Sequence, residues 1–138
     1  MRIFLDTNVL VSAAATRGLC ADVVREVLVS HQLIISEPLL TEVRNALKRK
    51  LAVTDEFTRD FIGLLSRDSL SSTSSPLYDI DIQDADDVII LSSALNGNVD
   101  LFITGDKELL ELHTLKNMTI VSPRMFWEKL QSKTPDKL

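Results

Sequence analysis

Short apolar runs set between helical stretches narrow what this chain can fold into. Residues 2–5 (RIFL), Leu33–Ile35, Leu101–Thr104 and Met118–Val121 show almost no alternation of polar and apolar residues. A strand reads this way when both its faces are buried, and such strands belong to parallel sheets covered by helices. The segments between them carry helix signals. Residues 8–15 and 19–30 predict two helices broken at Arg17-Gly18, the second with a stripe of Val23, Val24, Val27 and Leu28. Ser36 is placed to cap a helix that runs to about Lys50, with Pro38 in the first turn, where a missing N–H costs nothing. Residues 54–68 predict a helix that buries Phe57, Phe61, Ile62, Leu64 and Leu65. Residues 84–96 predict a central helix, apolar nearly all round from Val88 to Leu91 and ended by Gly97. A short helix follows Asp106, and Pro123 opens the last one. Ser69–Pro76 is serine-rich and reads as a loop or an irregular extended stretch. Strands alternating with helices give an α/β fold around a doubly wound parallel sheet of four to five short strands.

With 138 residues the chain suits one domain, placed at 1–131, followed by a disordered tail over 132–138. No apolar run approaches the roughly 20 residues that cross a membrane, and the opening apolar stretch is too short for a signal peptide. The single cysteine, Cys20, excludes an internal disulfide and suits a reducing cytoplasm. A net charge of −5 weighs against nucleic-acid binding, which usually leaves a basic footprint. The field near a site matters more than the total, however, and a bound dication is often the largest local charge.

The acids are therefore informative. Ligands of open α/β sheets sit beyond the carboxyl ends of the strands. Asp6 follows the first strand directly, and Asp106 lies just past the strand at 101–104. Glu42 falls in the second turn of the helix that leaves strand 33–35, at the margin of its buried stripe of Leu39, Leu40, Val43 and Leu47. Asp87 falls in the first turn of the central helix. Four acids from separate segments thus meet at one sheet edge. Crowded carboxylates repel, and some are forced to protonate unless a cation joins them. Mg²⁺ or Mn²⁺, one ion or two, would remove that cost and could activate water for phosphodiester hydrolysis, with no Ser, Cys or His nucleophile needed. Each acid also has an ordinary reading: Asp84, Asp87 and Asp106 as helix-cap or first-turn acids favoured by the dipole, Glu42 as a solvated helix residue.

The segments FLDTNVL (Phe4–Leu10), LLTEV (Leu39–Val43), DADDVIILSSAL (Asp84–Leu95) and LFITGDKELL (Leu101–Leu110) resemble the PIN-domain family. The match is to the bacterial and archaeal branch of toxin ribonucleases from toxin–antitoxin pairs. The resemblance spans about residues 1–127 and implies a three-layer PIN-like fold. It assigns catalysis and metal binding to Asp6, Glu42, Asp87 and Asp106, with Asn8, Thr104 and Asp84 in support. It implies cleavage of single-stranded RNA with Mg²⁺ or Mn²⁺, homodimers, and a cognate antitoxin protein that blocks the site. The serine-rich stretch before Asp84 departs from the family pattern.

Arg44, Lys48, Arg49 and Lys50 form a basic run that could grip RNA phosphates or simply end a solvated helix. His31 and His113 stand apart from the acids and from each other, Cys20 reads as a small packed side chain, and Phe126 and Trp127 as core or dimer contacts. Two other classes of function compete, a binding module and a phospho-acceptor domain of either the haloacid-type phosphatase or the receiver kind. A non-catalytic PIN-like module would bind RNA or protein without needing all four acids. A haloacid-type phosphatase would need a second Asp two residues after Asp6, where this chain has Asn8. A receiver domain would need an acceptor Asp paired with a Lys, and no such pairing stands out.

Overall fold

The computed structural model describes residues 1–133. Its centre is β1 (Arg2–Leu5), in which Ile3, Phe4 and Leu5 are completely buried. The chain then forms α1 (Thr7–Ala15), α2 (Leu19–Ser30), β2 (Gln32–Ser36), α3 (Glu37–Ala46), a π-helical turn (Leu47–Leu51) and α4 (Asp55–Ser66). After β3 (Leu70–Ser72) come α5 (Ala85–Asn96), β4 (Leu101–Ile103), α6 (Lys107–Leu110), β5 (Thr114–Leu115), β6 (Met118–Val121) and α7 (Pro123–Lys133). The sheet runs β3-β2-β1-β4-β6-β5. All its pairings are parallel except that of the short β5 with β6.

The α/β class and the parallel sheet expected from the sequence are present, but the sheet has six strands rather than four or five. The extra ones, β3 and β5, have three and two residues and carry little apolar signal. β3 lies inside the serine-rich stretch and pairs Ile34, Ile35 and Ser36 of β2 with Leu70, Ser71 and Ser72. It is held by backbone hydrogen bonds at a sheet edge, which any sequence can make. The expected helix up to Lys50 is interrupted: α3 ends at Ala46, and the π turn leads into Ala52, which has left-handed backbone with φ of 50°. On α4 only Ile62 and Leu65 are buried, whereas Phe57 and Leu64 are exposed. α7 continues to Lys133, two residues into the segment expected as a tail from residue 132; the rest of that segment lies outside the described residues.

β1 is where the chain order reverses. It moves outward through β2 and β3, then crosses back to β4 on the other side of β1. Phe4 and Phe102 stack across this junction at 5.3 Å between ring centres. The crevice outside the carboxyl ends of two such strands is where open α/β sheets bind ligands. α5 is pressed closely onto β2 and β3. A Cβ added at Gly97 would stand 2.7 Å from Ile34 Cγ2 and 3.1 Å from Ser72 Cβ, so only glycine fits there.

Candidate active site

Asp6 leaves β1 with extended backbone and caps α1. Its Oδ1 accepts a hydrogen bond from Thr7 N at 2.9 Å. Its Oδ2 accepts from Thr104 Oγ1 at 2.7 Å and from Asn8 Nδ2 at 3.2 Å. Thr104, fully buried at the end of β4, also accepts from Asp106 N at 3.0 Å. Asn8 Oδ1 accepts from Gly105 N at 2.8 Å. The two strand ends at the switch point are thus laced together by the three polar residues Asp6, Asn8 and Thr104. Glu42 is anchored to the same centre, because Thr7 Oγ1 donates to its Oε1 at 2.6 Å. A Cβ at Gly105 would lie 3.2 Å from Asn8 Oδ1, so the loop after β4 approaches Asn8 closely.

Asp6, Glu42, Asp87 and Asp106 line one cleft of about 370 Å³ beside Thr7, Asn8, Val11, Ser12, Ala15 and Lys50. The four acids assigned from the sequence therefore share a cavity. Asp84 does not line it. It caps α5, accepting from Asp86 N at 2.8 Å, and acts on the cleft through its charge. Asp106 also caps a helix, with Oδ1 accepting from Glu108 N at 2.9 Å. For Asp106 the ordinary capping reading and membership of the cleft hold together, and Asp6, for which no cap was expected, also both caps a helix and lines the cleft.

The charges are strained. Burial pushes the Asp6 carboxyl up from the usual aspartate range, against the opposing pull of its hydrogen bonds from Thr104 and Thr7. Burial likewise raises Glu42; the Thr7 hydroxyl opposes this, and the charges of Asp6, Asp86 and Asp84 add to it. Asp87 is pushed up to about 6, first by burial and then by Asp84, Asp106, Asp6 and Glu42. This is the signature of like charges sharing a partly dry site.

An all-oxygen set of carboxylates suits a hard dication such as Mg²⁺ or Mn²⁺, whose charge would relieve the repulsion. Among the described residues, no three such groups are already gathered tightly enough to hold an ion by themselves. Mg²⁺ usually keeps several waters and takes only one or two carboxylates directly, so the donor set remains chemically suitable.

The basic run is divided by the π turn. Lys50 lines the acid cleft, whereas Arg44 and Lys48 line a separate groove against α4. Arg49 is exposed and lines neither. His31 lies away from the cleft, edge-on to the buried Phe126 at 5.8 Å, and burial lowers its pKa. Arg59 of α4, which shares the groove with Arg44 and Lys48, escaped the sequence analysis because it stands alone among polar residues and only packing of α4 on α3 brings it there.

A family model for the PIN domain matches residues 2–108. The chain belongs to the PIN-domain family. The PIN domain has structural likenesses among solved proteins. VapBC2 from Rickettsia felis bound to a DNA fragment from their promoter is similar with a TM-score of 0.63 and 15% identity, over 88% of this chain and 98% of that one. VapBC-1 from nontypeable Haemophilus influenzae is similar with a TM-score of 0.59 and 19% identity, over 90% and 99%. At these identities the likeness establishes the fold. A comparison with curated proteins gives no match. No helix among the described residues is long and apolar enough to cross a membrane.

Proposed function

We propose that this PIN domain is a divalent-metal-dependent endoribonuclease that cleaves single-stranded RNA, acting as the toxin of a toxin–antitoxin pair. The observation that carries the reading is the single cleft lined by Asp6, Glu42, Asp87 and Asp106, three of them with raised pKa. A fold gains nothing in stability from crowding carboxylates, so the arrangement is best understood as prepared for cations.

Asp6, Asp87, Asp106 and Glu42 are the residues that would hold Mg²⁺ or Mn²⁺, one ion or two. When bound, such an ion activates water and stabilises charge on the phosphate and the leaving oxygen. The chain's own part is orientation. Thr104 and Asn8 fix Asp6 Oδ2 through hydrogen bonds to it, and Thr7 fixes Glu42. The Asp87 side chain makes no hydrogen bond among the described residues, and burial with the surrounding acids raises its pKa to about 6. Lys50, the one cation lining the cleft, supplies positive charge for the scissile phosphate.

The partner proposals follow the family resemblance and the VapBC likenesses: a homodimer in the cytoplasm, held inactive by a cognate antitoxin protein. The deciding experiment exposes a mixed pool of single-stranded RNAs to the protein with Mn²⁺, with Mg²⁺ and with chelator, beside Asp6→Asn and Asp87→Asn. Metal-dependent cleavage lost in both variants is the expected result. Metal binding without cleavage across the pool would instead make the chain a non-catalytic PIN-like binding module. Cleavage retained in both variants would place the chemistry elsewhere.

A further inference from the structure

Resting on the nuclease reading, we infer that the groove between α3 and α4 is a second phosphate-binding site, which takes the RNA strand on one side of the scissile bond, with Arg59, Lys48 and Arg44 as its contacts. The groove has a volume of about 470 Å³. It holds three cations and one acid, Asp55, in a chain where acids outnumber bases by 20 to 15.

The cations are also available. Among the described residues neither Lys48 nor Arg59 forms an ion pair, and Arg44 reaches only Glu37, at 4.0 Å. All three are exposed. Arg59, unpaired, and Arg44, with only a long contact to Glu37, suit phosphate, whose oxygens match the guanidinium fork.

The π turn joins the groove to the cleft. Lys48 faces the groove, Lys50 faces the cleft, and Arg49 lies exposed between them. A strand with its scissile phosphate beside Lys50 can therefore cross an all-basic ridge into the groove. The other way along α3 is closed by charge, because the depression beyond Glu42 is lined by Glu37, Asp86 and Glu42 with no cation. Of these two directions along α3, the basic one is electrostatically open to the substrate. The groove reads backbone phosphates, so it confers a preference for strand length rather than for base sequence.

The test is binding of a labelled single-stranded RNA of about 16 nucleotides to the whole chain in chelator, where cleavage cannot interfere. The wild-type protein is compared with Lys48→Ala/Arg59→Ala and with Asp55→Asn. Each phosphate contact on a single strand contributes about 0.7 to the salt slope. Losing two contacts lowers the slope by about 1.4, so the advantage of wild type shrinks about sevenfold between 50 and 200 mM salt. Asp55→Asn removes the groove's acid and tightens binding, a gain that misfolding cannot produce. An unchanged slope in the double variant, or no RNA binding by wild type, overturns the inference. The two readings fail separately. Groove-dependent binding by a protein that never cleaves rejects the nuclease and keeps the groove. Metal-dependent cleavage with groove-independent binding rejects the groove and leaves that face for a protein partner.

Discussion

Replacing Asp87 with Asn should stabilise the metal-free protein at neutral pH. The carboxyl is raised from the ordinary 3.8 to about 6. A raised acid binds its proton more tightly in the folded chain than in the unfolded one. Its folded-state advantage is present at low pH and is lost as pH rises through the interval from 3.8 to about 6. Above that interval the ionised group is a constant burden. Taken whole, the shift would correspond to about 3 kcal/mol. Asp87 is half-buried rather than enclosed, so solvent screening reduces the figure to about 1 kcal/mol. Asn at the third position of α5 also gives up a favourable meeting of charge and helix dipole, an offset of about 0.3–1 kcal/mol. The net expectation is a gain of up to about 0.7 kcal/mol at about pH 7.5, shrinking toward pH 4.5. Urea unfolding in chelator at both pH values measures it: the midpoint should rise with the m-value unchanged. Destabilisation at pH 7.5, or a gain that persists undiminished at pH 4.5, would refute the view that burial, reinforced by repulsion among these acids, burdens the ionised Asp87.

Thr104→Val keeps the shape of a fully buried side chain but removes the hydroxyl that bonds Asp6 Oδ2 and Asp106 N; it should cost about 1–3 kcal/mol in chemical denaturation, and an unchanged midpoint would contradict the lacing of β1 to β4. Gly97→Ala brings a methyl against Ile34 and Ser72; thermal unfolding should show a loss of about 1–3 kcal/mol from overpacking. Mn²⁺ at about 100 times its dissociation constant should stabilise the wild-type chain by about 2.7 kcal/mol. Asp87→Asn should gain clearly less from the ion, and an equal gain would remove Asp87 from the ion's neighbourhood.

The parts of the fold that showed in the sequence are those in which burial writes itself into composition. β1, β4 and β6 are apolar because helices cover both faces, and Asp6 is conspicuous because it interrupts such a run. The cleft was legible for the same reason, since strand ends and helix starts fix where Asp6, Asp87 and Asp106 must fall. β3 and β5 were not legible, because edge strands of two or three residues are held by backbone groups common to every residue. Phe57 and Leu64 were expected inside and are exposed: an apolar stripe gives a helix its face but not the width of the surface that covers it. The π turn was equally hidden. Lys48, Arg49 and Lys50 look like one patch in the chain, and only the change in helical pitch turns two of them to different cavities.

Asp6 and Asp106 each both cap a helix and line the cleft, and that bears on how such a protein can change over generations. Each starts a helix by accepting a backbone N–H, so neither can drift without unsettling the fold. Asp87 bonds to nothing nearby, and Glu42 is tied by a single hydroxyl. On the proposed nuclease reading, a descendant freed from that reaction would keep the first pair for the sake of its helices and shed the second at little cost. In this architecture a retained Asp6 testifies to folding. On that reading a retained Asp87 and Glu42, whose charges the metal-free fold holds against burial and neighbouring acids, testify to selection for the reaction.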